Sequence, residues 1–139
     1  GNPLAVVHDA QGLSETQMAD LARWTNVSET SFLLPPDDPE ADYRVRILTP
    51  GGELPFAGHP TLGSCHAWLA AGGVPRQPGV VVQQCGVGRV RRDRMALDER
   101  LAFAAPALRR AGPVFAQREG AEVWIGGAVC LVVTGPVRL

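Results

Sequence analysis

Hydrophobic and polar residues alternate along much of the first half of the chain, and this pattern predicts short β-strands. From Ser28 to Leu34 the alternate positions separate into two faces, and from Tyr43 to Leu48 apolar residues alternate with two arginines. Residues 2–7 predict a further short strand near the start of the chain. The period of two indicates a sheet with at least one buried face.

Two helices are predicted between these strands, and they differ in kind. Ser14 and Gln17 form a capping-box pattern, and apolar residues follow at helical spacing up to an exit at Asn26. Thr61–Ala71 is instead small or apolar around nearly its whole circumference, which predicts a central helix buried on all sides. Pro60, just before it, suits a first helical turn, and two glycines end it.

The rest of the chain predicts further strands. They are expected at Val80–Gln84, in a hairpin of Gly86–Arg92 with Met95–Ala104 that turns near Asp93, at Val123–Ile125 and at Val129–Thr134. The order of elements does not match a regular βαβ array. The predicted fold class is therefore α+β: a curved, mostly antiparallel, barrel-like sheet wrapped around one buried helix.

Composition narrows the function classes. The chain has 139 residues, 45% hydrophobic and 19% charged, which fits one domain with a hydrophobic core and excludes a disordered tail or a coiled coil. A net charge of −1 predicts no general attraction to nucleic acid or to an anionic membrane, and no apolar run is long enough to span a membrane. Three cysteines without CxxC spacing (Cys65, Cys85 and Cys130) predict reduced thiols in a cytoplasmic protein and no metal site.

The segment ELPFAGHPTLG, residues 53–63, is the first place where the sequence indicates chemistry. It puts Gly58 and His59 at the start of the predicted buried helix. The free N–H groups of a first helical turn and the helix dipole form a pocket for a carboxylate or an oxyanion. Gly58 has no side chain to block approach, and His59 adds a titratable ring. The alternative is a histidine that only caps the helix.

Glu29 is the second candidate. On local grounds it could be a solvent-facing residue of its strand. If it faces the mouth of the buried helix instead, partial burial would suit it to take up and return a proton near neutral pH. Glu53 is a weaker candidate for the same role, whereas His8 and His66 are explained by a turn and by a packed helix position.

Four segments together resemble the phenazine-biosynthesis PhzF-like isomerase family, which shares its fold with diaminopimelate epimerase. They are GNPLAVV (1–7), NVSET (26–30), YRVRI (43–47) and ELPFAGHPTLG (53–63). The resemblance runs in order from Gly1 to about Pro113. It implies a curved sheet around a central helix, a homodimer, and proton transfer on a small carboxylate-bearing substrate without a cofactor.

The resemblance also implies roles for single residues. The acid/base glutamate of the family carries over to Glu29, and the histidine that lines the family's site carries over to His59. The residues expected to bind substrate are Gly58, Pro60, Thr61, Asn2 and Ser28. Amide N–H groups from Thr61 onward would hold the substrate carboxylate, because proline has none. Related racemases use two thiols, which is not expected here since Cys65 lies deeper in the helix.

The sequence departs from the family in its domain organisation. Family members have two similar domains with the active site between them, and a second-domain motif resembling EDPATGSA is absent here. Residues 1–113 resemble the body of the first domain and 114–139 its returning strands, so a second domain is expected to be missing near Val114. Three explanations stay open: these residues are the ordered part of a longer protein, the protein was cut down to one domain, or a natural single-domain protein pairs with itself. The alternative functions are a non-catalytic binding or assembly domain and a metal- or redox-active protein that uses its cysteines.

Overall fold

Two β-sheets and two α-helices make up the part of the chain that the computed structural model describes, residues 2–93, 102–103, 114–119, 122–127 and 129–137. The elements in chain order are β1 (Leu4–Val7), a 3₁₀ turn (Ala10–Gly12), α1 (Glu15–Thr25), β2 (Glu29–Leu34), β3 (Tyr43–Thr49), β4 (Gly52–Leu54), α2 (Gly58–Ala70), β5 (Val80–Cys85), β6 (Gly88–Asp93), β7 (Ala102–Phe103), β8 (Val114–Glu119) and β9 (Glu122–Gly127). The predicted α+β class is confirmed.

The larger sheet is mixed and open. Its strands follow the order β1-β2-β3-β5-β6, and β4 pairs with the end of β3. The β1–β2 and β3–β5 pairs are parallel, and the other described pairs are antiparallel, including those of the smaller sheet β7-β8-β9. The sheet is thus mostly antiparallel, as predicted. It does not close into a barrel among the described strands, because β1 and β6 remain its two edges.

Each helix packs on its own face of the larger sheet. Phe32 and Leu48 belong to the apolar cluster that includes the buried residues of α1. Leu33 and Ile47 belong to a second cluster, with which side chains of α2 pack. Because side chains alternate along a strand, Glu29 lies on the same face of β2 as Leu33 and therefore on the side of α2.

The sequence of α1 fixes both of its ends. Ser14 Oγ accepts a hydrogen bond from the Gln17 amide at 3.2 Å, and Gln17 Oε1 accepts one from the Ser14 amide at 2.9 Å, so the predicted capping box is present. Asn26 ends the helix in the left-handed conformation with φ 50°. Three residues later β2 begins at Glu29, so the end of α1 determines where this carboxylate enters the sheet.

The second helix differs from its prediction in start and in burial. It begins at Gly58, three residues before the expected Thr61. Its buried residues are Pro60, Thr61, Gly63, Ser64 and Ala67. His66 and Ala70 are exposed, so the described residues cover one side of α2 and do not surround it.

The hairpin predicted around Asp93 is also different. β6 pairs with β5 through a two-residue turn, Gly86–Val87, with a positive φ of 98° at Gly88. Most of the expected partner, Met95–Ala104, lies outside the described residues, and Ala102–Phe103 pairs with β8 instead. The sequence did not predict β8 or the short β4, whereas the strand expected at Val123–Ile125 lies within β9.

The last described segment, residues 129–137, is not the strand that its apolar composition predicted over Val129–Thr134. It forms no helix or strand, and none of the described strands pairs with it. Leu131, Val132 and Val133 are 50%, 86% and 89% exposed. An apolar run becomes a strand only where a neighbouring strand takes its backbone hydrogen bonds, and that information is not local.

Candidate active site

The start of α2 offers two backbone donors. Ala57 is the N-cap, and its side chain makes no capping hydrogen bond. The first N–H groups of a helix have no partner within it, which leaves the amides of Gly58 and His59 directed out of the helix. Pro60 follows and has no N–H. The amide of Thr61 donates to Ala57 O at 3.2 Å, so this helix uses the N–H that was expected to hold a substrate carboxylate.

Glu29 and His59 meet at this helix start. Glu29 Oε2 lies 3.3 Å from His59 Nε2, and the side chains are 17% and 35% exposed. The predicted convergence of carboxylate, imidazole and helix start is therefore present in the structure. Glu29 Oε2 itself is buried and has no hydrogen-bond partner among the described residues. A buried carboxylate oxygen left without a donor is costly, and such atoms concentrate where a ligand or a reaction uses them.

Asn2 and Ser28 join the same site. Ser28 Oγ donates to Asn2 Oδ1 at 3.0 Å, and Asn2 Nδ2 lies 3.3 Å from His59 Nε2. The pairing of β1 with β2 accounts for this proximity, since Leu4 is opposite Glu29 in the parallel register. Two loops that precede neighbouring strands thus meet the start of α2.

Of the other three residues expected to bind substrate, one lies at the protein surface and two are buried beneath the site. Gly58 is exposed, and a Cβ added to it would meet no atom within 4 Å. Pro60 and Thr61 are less than 2% exposed. They lie beneath the surface of the site and support the helix start from below, so their role in binding substrate stays a prediction.

A buried hydrogen-bond chain, which the sequence did not predict, holds the start of α2. Tyr43 Oη donates to Gln83 Oε1 at 2.9 Å, Gln83 Nε2 donates to Thr61 Oγ1 at 3.2 Å, and Thr61 Oγ1 donates to Ala57 O at 2.9 Å. Gln83 is fully buried. The sequence does contain a signal for it. Gln83 lies two positions after Val81 and therefore on the same, apolar face of its strand, where a buried polar side chain needs partners inside the protein.

Glu53, the weaker acid/base candidate, lies on the other face of the sheet with Arg46. Its two carboxylate oxygens accept hydrogen bonds from Arg46 Nε at 2.9 Å and Nη2 at 2.6 Å, and Glu15 of α1 adds a contact to the same guanidinium at 3.2 Å. The hydrogen bond from Arg46 lowers the pKa of Glu53 below its ordinary value of 4.5, and burial opposes this only in part. Glu53 is therefore an ion-pair residue, and its carboxylate is unsuited to take a proton from carbon.

This ion pair predicts a pH dependence of stability. Because the pKa of Glu53 is lower in the folded chain, its contribution to the free energy of unfolding is present above pH 4.5 and is lost as the pH falls through the folded-state value. The pair is partly exposed, so we expect no more than about 1 kcal/mol. Urea unfolding of the unsubstituted chain and of Glu53→Gln at pH 7 and at pH 3 measures it. A difference between the two proteins that does not shrink at pH 3 would contradict this assignment.

The described residues contain no group of three or more potential metal ligands among histidine, cysteine, aspartate and glutamate. None of the three cysteines forms a disulfide: Cys65 and Cys85 are half-buried and Cys130 is exposed. None of the helices in the described ranges is long and apolar enough to cross a membrane. His8 and His66 are exposed and lie outside the cluster around Glu29.

Comparison with known proteins decides the family. The model of the PhzC-PhzF family, described as phenazine biosynthesis-like protein, matches residues 1–123. The chain belongs to this family. The resemblance drawn from four sequence motifs is thereby confirmed, and in this PhzF-family chain the motifs of residues 26–30 and 53–63 are the ones that carry Glu29 and His59.

Curated relatives of this PhzF-family chain include proteins named as isomerases. Antisense-enhancing sequence 1 of Schizosaccharomyces pombe is 49% identical over 65% of this chain and 30% of its own length. Trans-2,3-dihydro-3-hydroxyanthranilate isomerase of Pseudomonas chlororaphis is 54% identical over 48% of this chain and 24% of its own length. The chain thus spans less than a third of these relatives.

Solved structures show the same fold. A PhzF-family phenazine biosynthesis protein of Bacillus anthracis matches 90% of this chain and 34% of its own with a TM-score of 0.57 and 28% identity. A protein of Pseudomonas aeruginosa described as a predicted epimerase matches 90% of this chain and 36% of its own, with a TM-score of 0.51 and 31% identity. The PhzF-family chain therefore corresponds to about one third of these larger proteins.

Proposed function

We propose that this chain carries the proton-transfer half of a cofactor-independent isomerase or epimerase that acts on a small carboxylate-bearing substrate. One observation carries the proposal: Glu29 Oε2 is buried at the start of α2 without a hydrogen-bond partner among the described residues, 3.3 Å from His59. An oxygen held in this way is available to a proton on a bound molecule.

The helix start supplies the counterpart for the substrate. The amides of Gly58 and His59, aided by the positive end of the helix dipole, would hold the carboxylate of the substrate. Negative charge that develops when a neighbouring carbon loses its proton would spread toward these donors. Gly58 leaves room for the approach because it has no side chain.

Glu29 would act as base and then as acid. Its carboxylate would take the proton from a carbon next to the substrate carboxylate or a conjugated system, and the electron pair of the C–H bond would stay on the substrate. The protonated Glu29 would then return the proton to another carbon. His59 would position the substrate or relay the proton, and Asn2 and Ser28 would lie at the edge of the bound molecule.

A complete cleft needs a second wall. Glu29 and His59 are 17% and 35% exposed, so the described residues cover the site only from one side. We propose that a second domain near Val114 or a second copy of the chain forms the other side, which includes the homodimer expected from the family. Three cysteines without a disulfide fit a cytoplasmic location, and this location is part of the proposal.

The test is deuterium exchange at carbon. Trans-2,3-dihydro-3-hydroxyanthranilate, the compound in the name of the Pseudomonas chlororaphis relative, is incubated with the chain in heavy water, with simple amino and hydroxy acids in parallel. Proton NMR should show loss of one carbon-bound signal faster than without protein. The same measurement with His66→Asn is the control, because His66 lies outside the cluster and its loss should change nothing. Binding without exchange would favour the non-catalytic binding domain instead.

The substitution Gly58→Ala tests whether a substrate approaches the start of α2, because it should reduce the exchange rate without reducing the stability of the fold. A Cβ at this position meets no protein atom within 4 Å and points into open space at the helix start. Alanine is also the better helix former, so the free energy of unfolding should stay the same or rise by up to about 1 kcal/mol. The exchange rate should fall by at least about tenfold, equivalent to roughly 1.4 kcal/mol of barrier.

The matched control is Gly12→Ala, a glycine that also has no atom within 4 Å of an added Cβ and lies in the 3₁₀ turn. Its exchange rate should equal that of the unsubstituted chain. Equal rates for Gly58→Ala and Gly12→Ala would show that no substrate approaches Gly58.

A further inference from the structure

The Asn2 amide has a defined orientation at the site. Ser28 Oγ donates to Asn2 Oδ1 at 3.0 Å, which directs the amide nitrogen toward His59 Nε2 at 3.3 Å. An amide nitrogen donates hydrogen bonds and does not accept them. Nε2 must therefore accept this hydrogen bond with its lone pair, so it carries no proton. The proton of the neutral ring is then on Nδ1.

The same ring nitrogen faces Glu29. Its distance to Glu29 Oε2 is also 3.3 Å, yet that oxygen has no hydrogen-bond partner among the described residues. A proton on Nε2 would be donated to this oxygen, as a hydrogen bond from the neutral tautomer or within an ion pair from the imidazolium, and would occupy the carboxylate oxygen. By holding the lone pair of Nε2, Asn2 opposes that ion pair and leaves the oxygen open.

We propose that Asn2 is a positioning residue that selects the Nδ1–H tautomer of His59 and thereby keeps Glu29 available as a proton acceptor. Ser28 takes part by fixing the orientation of the Asn2 amide. The tautomer is a property of the chain alone, whereas its consequence for Glu29 rests on the proposed function.

Nitrogen-15 NMR of the histidine rings tests the tautomer without any substrate. The chain has three histidines, and loss of one set of signals in His59→Gln assigns those of His59. In the unsubstituted chain at pH 8 we expect the Nδ1–H tautomer for His59. An Nε2–H tautomer there would overturn the proposal.

Asn2→Asp is the deciding variant, because aspartate has nearly the same shape and its carboxylate accepts a proton instead of donating one. Asn2 is exposed, so the exchange of an amide for a carboxylate should leave the fold intact. Aspartate at position 2 and Glu29 would then both face the ring as hydrogen-bond acceptors, and we expect the ring proton of His59 to move from Nδ1 to Nε2. Ser28→Ala, which removes the donor that orients the amide, should increase the Nε2–H population by a smaller amount. An unchanged tautomer of His59 in Asn2→Asp would overturn the proposal.

The heavy-water assay adds a readout that distinguishes this proposal from the proposed function. The Nε2–H tautomer donates to Glu29 and blocks it, so the exchange rate at pH 8 should fall by about tenfold or more in Asn2→Asp. If the unsubstituted chain exchanges deuterium but the rate does not fall in Asn2→Asp, the role of Asn2 is overturned and the proposed function stands. If no protein exchanges deuterium while the tautomer changes as expected, the proposed function fails and the tautomer selection stands.

Discussion

Glu29→Gln is expected to lower the rate of deuterium exchange at carbon by about 10²- to 10⁴-fold, the range that a positioned acid/base contributes. Glutamine keeps the shape of the side chain, but its amide cannot take a proton from carbon. The free energy of unfolding should stay the same or rise by about 1 kcal/mol, because the substitution removes a buried carboxylate oxygen that has no donor in the described structure. Proton NMR in heavy water measures the exchange rate, and urea unfolding of the same preparation measures the free energy of unfolding.

Two variants make the interpretation of Glu29→Gln specific. Glu29→Asp keeps the carboxylate but withdraws it from His59, so it should retain more activity than the glutamine variant. Glu53→Gln removes a carboxylate that pairs with Arg46 away from the site and should exchange deuterium at the unsubstituted rate. Exchange that survives in Glu29→Gln would exclude Glu29 as the base.

Gln83→Leu is expected to lower the free energy of unfolding by about 2–4 kcal/mol. Leucine fills a similar volume, but it leaves the buried Tyr43 hydroxyl without its acceptor and Thr61 Oγ1 without its donor. Each buried polar group that loses its partner costs about 1–3 kcal/mol. Because Thr61 is bonded to Ala57 O at the start of α2, the exchange rate should fall as well.

A double-mutant cycle with Tyr43→Phe checks the cause. If the penalty arises from the lost hydrogen bond between Tyr43 and Gln83, removing the Tyr43 hydroxyl should cost less in the Gln83→Leu background than in the unsubstituted chain, by about 1 kcal/mol or more. Additive effects of the two substitutions would contradict the hydrogen-bond chain. Urea unfolding of the four proteins gives the coupling free energy.

The parts of the fold that sequence predicted are those with strong local patterns. The alternation in β3 separated buried Val45 and Ile47 from Arg44 and Arg46, and the capping box located α1 to within a residue. The start of α2 was missed because Ala57, its N-cap, carries no capping side chain, and proline is accepted anywhere in a first turn. The pairing of β6 and the absence of a strand in residues 129–137 depend on partners that are distant in the sequence, and a local pattern does not show these.

The sequence predicted the residues at the centre of the candidate site but not the buried residue that supports it. Gly58 and His59 were recognised because a helix start, a glycine and a histidine together indicate anion binding. Glu29 and Leu33 lie on the same face of their strand, as the alternation of residues in the sequence already indicates, and this determines the side on which Glu29 lies. Gln83 could not be recognised as support, since its partners Tyr43 and Thr61 are 40 and 22 residues away in the sequence.

The exposed segment of residues 129–137 has a practical consequence for handling the protein. Leu131, Val132 and Val133 present consecutive apolar side chains to water, and the net charge of −1 gives little mutual repulsion between molecules. Such a segment, rich in β-branched residues, favours intermolecular strand pairing. Precipitation should therefore increase steeply with concentration near neutral pH, and a charged substitution at Val132 should raise the solubility limit without changing the cluster around Glu29 and His59.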